Sequence, residues 1–510
     1  MMTGMMTGMM TEDPLFDLLK KKRLIPLLRE AAEIEQQVMV QYLYAAYSLK
    51  KLPDATCTPA EFEHVRRWGT VLLSVARSEM EHLALVNGML SAIGADPSFQ
   101  RQNIPVQFPY YEGESLARGR DEKGTEPCDI PFLFERFNLA TIERFVCIES
   151  PSKETLVKER MRIPEWCFSC NEAAAATFRL RATPQPYPTA ASHVPEDLWS
   201  EVEAEMNQTG LLKAAPESLR PGTIQELYDT IADLFTFLNG RGNLFTGNPS
   251  SQVFVPVEYQ VNIFPITDLS TALSAIRLIT EEGEGSDAPP DYQSHFTRFF
   301  TIHDELEELL AKAEREGRRF EPALPLPLNP SLDEITNPFA RDLFELFNYT
   351  YATLVFLLTA LYKDFVPLTT QSPQSYPYFS AALQENAFGP MMTMLIRPIA
   401  EILAYTDSGD GKHTTGPDYH LSADDLERLG PKGSAELGSI DFFLDRFDEI
   451  ARRLDRLRRA DLVRVARQEG DLPFLRRQLD FVYESAVAMG NNTRRIYQLG
   501  QLPQFVVNPS

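Results

Sequence analysis

The chain has 510 residues and a formal net charge of −23, with 44% hydrophobic and 24% charged residues. This composition is typical of a globular protein with a sizeable core, and the acidic charge argues against non-specific binding to nucleic acid or anionic membranes. Five irregularly spaced cysteines are too few for a disulfide framework, so we expect a reduced, cytoplasmic protein. The longest apolar run, Tyr351–Tyr362, is too short to span a bilayer, so no membrane insertion is expected.

Two long helices are predicted near the start of the chain. Residues 1–14 repeat Met-Met-Thr-Gly and are expected to form a disordered tail without a secretory signal. Apolar residues at helical spacing predict a helix over 15–50, whose regular part begins near Pro26. The capping box Thr58-Pro-Ala-Glu61 predicts a second helix to about Ile93. We expect the two helices to form an antiparallel hairpin.

The rest of the chain also shows helical periodicity, separated by loops rich in proline and glycine. Residues 95–130 and a long crossover over 152–220 are expected to be irregular, and only Phe254–Phe264 alternates like a strand or an extended connection. Helices are predicted over 131–149, 223–238, 267–282, 292–316, 338–365, 379–406, 440–459 and 471–489. The pattern indicates an all-α protein, with one domain over 15–320 and a C-terminal helical region over 331–510.

Glu79 and His82 lie three residues apart on the second predicted helix, so their side chains project from one face. That face is otherwise apolar, and buried polar groups are costly unless something compensates for their burial. A Glu-x-x-His pair that points into a helical bundle is the half-site of di-iron and di-manganese carboxylate proteins. A hydrogen-bonded core histidine beside a carboxylate is the alternative. Glu61 and His64 repeat the spacing, but Glu61 completes the capping box, so we interpret that pair as structural.

A second carboxylate is predicted to face the same interior from the first helix. Glu35 lies near mid-helix on an apolar face, where an antiparallel partner can bring it close to the Glu-x-x-His pair. Glu30, Glu33 and Glu81 are expected to be more exposed. The sequence therefore predicts that the first helix supplies one carboxylate to the interior site and that the second helix supplies a carboxylate–imidazole pair.

A dinuclear site needs further ligands from other helices. The candidates are Glu149 at the end of one predicted helix, Glu226 in the first turn of the next, the acidic run Glu281–Glu284, and His295. If the 223–238 and 267–282 helices are antiparallel, the acidic run meets Glu226. Each candidate also has a plain structural interpretation, as a helix-terminal charge or a core histidine. Several carboxylates with few imidazoles suit iron or manganese better than zinc.

Several of these segments match a known family. The motifs Ala31-Ala-Glu-Ile-Glu35-Gln-Gln-Val-Met-Val-Gln-Tyr and Glu79-Met-Glu-His82-Leu-Ala-Leu-Val-Asn-Gly-Met-Leu resemble the ferritin-like domain of the iminophenyl-pyruvate dimer synthase family. The resemblance continues through Ile148-Glu149-Ser-Pro, Thr223-Ile-Gln-Glu226, Ile279-Thr-Glu281-Glu-Gly-Glu284-Gly and His295-Phe-Thr-Arg-Phe. Weaker matches follow at Asn337-Pro, Phe347-Asn-Tyr-Thr-Tyr and Thr415-Gly-Pro-Asp, so the similarity covers residues 15 to about 430.

The resemblance implies a ferritin-like helical bundle, and we expect the C-terminal helical region to pack on it. It implies metal ligands at the matching positions, which are Glu35, Glu79, His82, Glu149, Glu226, Glu284 and His295. It also implies oxidative coupling of amino-acid-derived imines, as in pigment-like secondary metabolism. The sequence leaves open which of Glu281, Glu282 and Glu284 is a ligand, and whether the chain forms a homo-oligomer.

We therefore expect a non-haem, di-iron-type oxidase or oxygenase with two metal ions, iron in preference to manganese. Its partners would be O2 and a small organic substrate, and neither nucleic acid nor membrane. Metal storage by a ferritin-like bundle is one alternative. A metal-free helical scaffold for protein interaction is another.

Overall fold

The computed structural model describes residues 14–107, 131–149, 224–249, 252–253, 255, 261–283, 294–363, 376–430, 436–466 and 468–499. Predictions for the N-terminal tail before Pro14, the 152–220 crossover, most of the 95–130 loop and Glu284 lie outside these residues. The described part consists mainly of α-helices. The predicted all-α class is confirmed.

The helices follow the hydrophobic periodicity closely. In chain order they are α1 (Pro14–Leu19), α2 (Ile25–Ser48), α3 (Pro59–Ala92), α4 (Leu139–Ile148), α5 (Ile224–Asn239), α6 (Leu269–Gly283), α7 (His295–Arg315), α8 (Pro338–Tyr362), α9 (Tyr376–Ala387), α10 (Arg397–Ala404), α11 (Ala423–Leu429), α12 (Ile440–Leu457) and α13 (Leu472–Leu499). Two π-helical segments, Lys20–Leu24 and Met391–Ile396, lead into α2 and α10. The short helix α11 is an element that the sequence did not predict.

A short strand pair interrupts the helical pattern in the described part of the chain. Strand β1 (Val106–Gln107) pairs antiparallel with β2 (Pro131–Phe132), so the helix predicted over 131–149 starts later than expected. It begins at Leu139 because the side chain of Asn138 accepts a hydrogen bond from the backbone N–H of Thr141. The described residues within Phe254–Phe264 are not part of a strand.

Helices α2 and α3 pack together as the expected hairpin. The backbone N–H of Thr58 donates to Glu61 Oε2 at 2.9 Å, and the backbone N–H of Glu61 donates to Thr58 Oγ1 at 3.4 Å. These reciprocal bonds satisfy two N–H groups at the start of α3, which is the predicted capping box. After α3, Gly94 adopts a positive φ of 74°, a conformation that glycine adopts without steric cost.

Helix α2 is buried on nearly its whole circumference. The expectation that Glu30 and Glu81 would be exposed is wrong, because they are only 5% and 4% exposed, while Glu33 is half-buried. Helix α10 packs against α2, and Gln36 Nε2 donates to the hydroxyl of Tyr351 on α8 at 2.8 Å. The C-terminal helices thus cover a face of α2 that the amphipathic pattern assigns to solvent.

The C-terminal region packs on the bundle, as expected, and both share one continuous hydrophobic core. Helix α8 extends beyond the apolar run that it contains. By length and composition α8 could cross a membrane, and so could the bent pair Phe379–Ala387 and Met391–Ala404 taken together. However, 83% of the apolar window of α8 is buried inside the protein, as in the core helices of globular proteins.

Candidate metal centre

Four elements direct polar side chains toward one point in the bundle. Helix α2 contributes Glu35, α3 contributes Glu79 and His82, Glu149 directly follows α4, and His295 is the first residue of α7. Each of these five residues is at most 6% exposed. Five of the seven ligands that the resemblance implies therefore lie together in the interior.

Their candidate ligand atoms form two overlapping groups. The first triad is Glu35, Glu79 and His82, and the second triad is Glu79, Glu149 and His295. Within each triad the three atoms lie within 4.8 Å of one another. Glu79 belongs to both triads, so its carboxylate can join two cation sites.

Glu79 directs one oxygen at each imidazole. Its Oε2 lies 2.9 Å from His82 Nδ1, and its Oε1 lies 2.9 Å from His295 Nδ1. Glu35 Oε2 lies 3.5 Å from His82 Nδ1, and Glu149 Oε2 lies 3.8 Å from His295 Nδ1. The two imidazole rings are 5.7 Å apart at an interplanar angle of 28°. Each histidine therefore presents Nδ1 to the shared carboxylate and to one outer carboxylate.

Tyrosine hydroxyl groups hold the two outer carboxylates. Tyr228 on α5 donates to Oε1 of Glu35, and Tyr42 on α2 donates to Oε1 of Glu149. The Tyr42 ring lies edge-on to Phe145, with a centroid distance of 4.6 Å. In both cases one carboxylate oxygen is occupied by a phenol, and the other oxygen faces a triad.

The charges of the cluster alter the pKa values of its carboxyl groups. Burial raises the pKa of Glu35 to about 8, and the nearby Glu79 charge adds to this increase. Burial and Glu79 also raise the pKa of Glu149. Burial opposes ionisation of Glu79 too, but the charges of His295 and His82 and their close Nδ1 contacts hold its pKa below the ordinary value. Glu79 is thus the carboxylate that stays ionised.

The pKa values of both imidazoles are raised as well. Burial lowers the pKa of His295, but the Glu79 charge and the contacts with Glu149 outweigh it and raise this pKa to about 9. Burial likewise opposes protonation of His82, yet its hydrogen bonds with Glu282, Glu35 and Glu79 raise its pKa well above the ordinary value. Without a cation, protons therefore compensate the carboxylate charge, and a metal ion would replace them.

Unpartnered polar atoms indicate that the cluster fits cations. Among the described residues, Glu79 Oε1 and both ring nitrogens of His295 are buried without a hydrogen-bond partner. Glu79 Oε1 and His295 Nδ1 are nevertheless only 2.9 Å apart. Metal–ligand bonds of about 2.1 Å at right angles place two ligand atoms about 3 Å apart. Carboxylates with two imidazoles suit iron or manganese.

The two other predicted ligands are Glu226 and Glu284. Glu226 lies in the first turn of α5, as expected, but its side chain and all of Glu284 fall outside the described residues. Of the acidic run, Glu282 is buried, and its Oε2 lies 3.3 Å from His82 Nε2. Glu281 instead accepts a hydrogen bond from Arg277 Nε at 2.5 Å.

A small cavity adjoins the first triad between α5 and α6. The start of α5 and the end of α6 line it together, as an antiparallel arrangement requires; the lining residues include Ile224, Gln225, Tyr228, Ile279, Thr280 and Gly283. Its volume is about 20 Å³, enough for one molecule the size of water.

The second Glu-x-x-His pair has the structural role that we expected. Glu61 caps α3 and accepts a hydrogen bond from Arg318. His64 Nδ1 lies 2.9 Å from the guanidinium of Arg67 and 3.7 Å from Glu305.

Sequence reasoning missed the contacts of Tyr228 and Glu282. Tyr42 follows Glu35 by two helical turns, so its position on the same face was a usable signal. No local pattern indicates Tyr228, because its partner Glu35 is 193 residues away in the chain.

Comparison with known proteins gives the family. A family model described as Ferritin-like matches residues 28–304. The chain is 27% identical over 429 residues to "Dichlorochromopyrrolate synthase" of Lentzea aerocolonigenes, covering 78% of this chain and 36% of that protein. It is also 27% identical over 425 residues to "2-imino-3-(indol-3-yl)propanoate dimerase" of Chromobacterium violaceum, covering 78% of this chain and 34% of that protein.

The chain therefore spans about a third of the length of these two curated relatives. No solved structure matches the chain. The family model covers more than half of the chain and includes every residue of both triads. The resemblance identified from the sequence motifs is thus confirmed, and the chain belongs to the Ferritin-like family.

Proposed function

We propose that the chain is a dinuclear-metal oxidase of the di-iron type, which uses O2 to oxidise a small, amino-acid-derived imine. The observation that carries this proposal is the position of Glu79, whose two oxygens each face a different buried imidazole at 2.9 Å. Carboxylates and imidazoles that converge from several helices inside a bundle are the arrangement that di-iron and di-manganese carboxylate proteins use.

The residues of each triad have distinct roles in this proposal. Glu35, Glu79 and His82 would hold one ion, and Glu79, Glu149 and His295 would hold the other. Two iron ions bound there would supply the redox chemistry with O2. The five residues are at most 6% exposed, so the surrounding core excludes bulk water, and the adjoining cavity of about 20 Å³ is large enough for one molecule the size of water.

The proposed substrate class comes from the relatives. One of them is named for the dimerisation of an imine with an indole side chain. Oxidation of such an imine removes two electrons and two protons, and O2 that accepts both pairs becomes H2O2. Because this chain spans about a third of those relatives, we propose the oxidation step for it rather than their complete reactions.

Metal analysis of purified full-length protein tests the first half of the proposal. We expect two iron ions per chain in the wild type and loss of metal from both sites in Glu79→Gln, because Glu79 is shared. His64→Gln is the matched control, since His64 follows a glutamate by three residues in the same helix but lies outside the triads. It should retain the metal content of the wild type.

An oxygen electrode tests the second half. The imine formed from indole-3-pyruvate and ammonium should cause O2 consumption with equal H2O2 formation by the wild type, and none by Glu79→Gln. Iron binding without substrate-dependent O2 consumption would instead support metal storage. A wild type without bound metal would favour the metal-free scaffold, and equal metal content in the wild type and Glu79→Gln would contradict the proposed site.

A further inference from the structure

We infer that Glu282 is a positioning residue that orients His82, so that the first triad holds its ion more tightly than the second triad. The inference rests on the proposed function in one respect only, namely that both triads bind metal. It concerns the order and strength of metal binding and does not depend on the substrate.

The two ring nitrogens of His82 face different partners. Nδ1 lies 2.9 Å from Glu79 and 3.5 Å from Glu35, whereas Nε2 lies 3.3 Å from Glu282 Oε2. A neutral imidazole carries its proton on one nitrogen and a lone pair on the other. If Nε2–H donates to Glu282, the lone pair on Nδ1 is directed at the first triad. A carboxylate that holds the second nitrogen of a ligating histidine in this way fixes both tautomer and ring orientation.

Glu282 acts through His82 and not as a member of a triad. Among the described residues, Glu282 belongs to neither group of candidate ligand atoms that lie within 4.8 Å of one another. It lies in the last turn of α6 with 7% exposure, on the side of the imidazole that faces away from Glu35 and Glu79. Its contact with Nε2 therefore positions the ring.

His295, like His82, has its Nδ1 close to Glu79, but in the described residues no carboxylate contacts its Nε2 as Glu282 contacts that of His82. Its Nδ1 lies 2.9 Å from Glu79, whereas its Nε2 has no hydrogen-bond partner within the described residues. No described residue next to Nε2 of His295 selects the tautomer that leaves a lone pair on Nδ1. Part of the free energy of metal binding is therefore lost in ordering the ring. The second triad is therefore the weaker site.

An anaerobic Fe(II) titration of the full-length protein, with bound iron measured after equilibrium dialysis, tests this difference. For the wild type we expect two classes of site, the first at least ~10-fold tighter. Glu282→Leu removes the acceptor and should weaken the tight class by about 10–100-fold while leaving the weak class unchanged. Glu282→Gln keeps an acceptor oxygen at the same position and should largely preserve the tight class.

Glu281→Leu is the matched control, because this adjacent carboxylate pairs with Arg277 and should leave both classes unchanged. Glu35→Gln should abolish the tight class and Glu149→Gln the weak class, which assigns each class to a triad. Circular dichroism verifies that each variant is folded. If Glu282→Leu does not fold, Glu282→Ala removes the same acceptor without adding apolar bulk.

Three results would overturn the inference: equal affinities in the wild type, an unchanged tight class in Glu282→Leu or Glu282→Ala, or an equal loss from both classes. A wild type that binds no iron would contradict both this inference and the proposed function. Ordered binding of two ions without oxidation of the imine would contradict the proposed function alone.

Discussion

The hydroxyl of Tyr228 donates a hydrogen bond to Oε1 of Glu35, although 193 residues separate them along the chain. This bond leaves Oε2 of Glu35 to face His82. The hydroxyl of Tyr42 holds Glu149 in the same way on the other side of the cluster. Each outer carboxylate is therefore held by a buried phenol.

Removing the Tyr228 hydroxyl should destabilise the metal-free protein. Tyr228→Phe leaves Oε1 of Glu35 buried without this donor, which is expected to lower the free energy of unfolding by about 1–3 kcal/mol. Urea unfolding after metal removal measures the change. Tyr362→Phe is the control, because the Tyr362 hydroxyl is buried with no hydrogen-bond partner in the described residues. If both variants lose the same stability, the Tyr228–Glu35 bond contributes nothing.

Metal binding near neutral pH should release protons. The pKa of Glu35 is about 8 and that of His295 is about 9, so both groups carry a proton at pH 7 in the metal-free protein. Ligands must lose these protons to bind metal, so two or more protons per chain should be released at pH 7, and the affinity should increase from pH 6 to pH 9. Calorimetry in buffers of different ionisation enthalpy counts the protons. Binding without proton release would contradict these pKa values.

A carboxylate outside the metal centre gives a separate pH dependence. Burial raises the pKa of Asp418 from 3.8 to about 6. The folded state thus binds more protons than the unfolded state between these values, so the contribution of Asp418 to stability becomes less favourable as the pH rises from about 4 to 6. The free energy of unfolding of Asp418→Asn, relative to that of the wild type, should therefore increase by about 1–3 kcal/mol from pH 4 to pH 7. Denaturant unfolding at both pH values measures this, and a difference that does not vary with pH would contradict it.

The capping box of α3 should affect stability but not metal binding. Thr58→Ala removes the side chain that accepts the N–H of Glu61, which is expected to cost about 1 kcal/mol. Iron content per chain should remain that of the wild type, since neither Thr58 nor Glu61 belongs to a triad. Thermal unfolding and metal analysis of the same sample test both statements. Loss of iron in this variant would mean that the start of α3 also controls the metal centre.

Burial of polar residues on α2 shows where sequence reasoning reached its limit. The apolar neighbours of Glu35 on one helical face correctly indicated that it points inward. The same reasoning placed Glu30 at the surface, yet it is 5% exposed, because α2 is covered on additional sides. An amphipathic pattern reports one apolar face, and it does not record whether another part of the chain later covers the polar face.

The sequence by itself determined the helices, the capping box and the projection of Glu79 and His82 from one face, because these features depend on residues within a few positions of one another. Only the tertiary structure decided that Glu79 lies between two imidazoles and that Glu282 and Tyr228 reach the cluster. His82 and Glu282 are 200 residues apart, and their contact follows from how α3 and α6 pack. Local spacing contains no information about such a contact, because the packing of distant helices depends on the whole core.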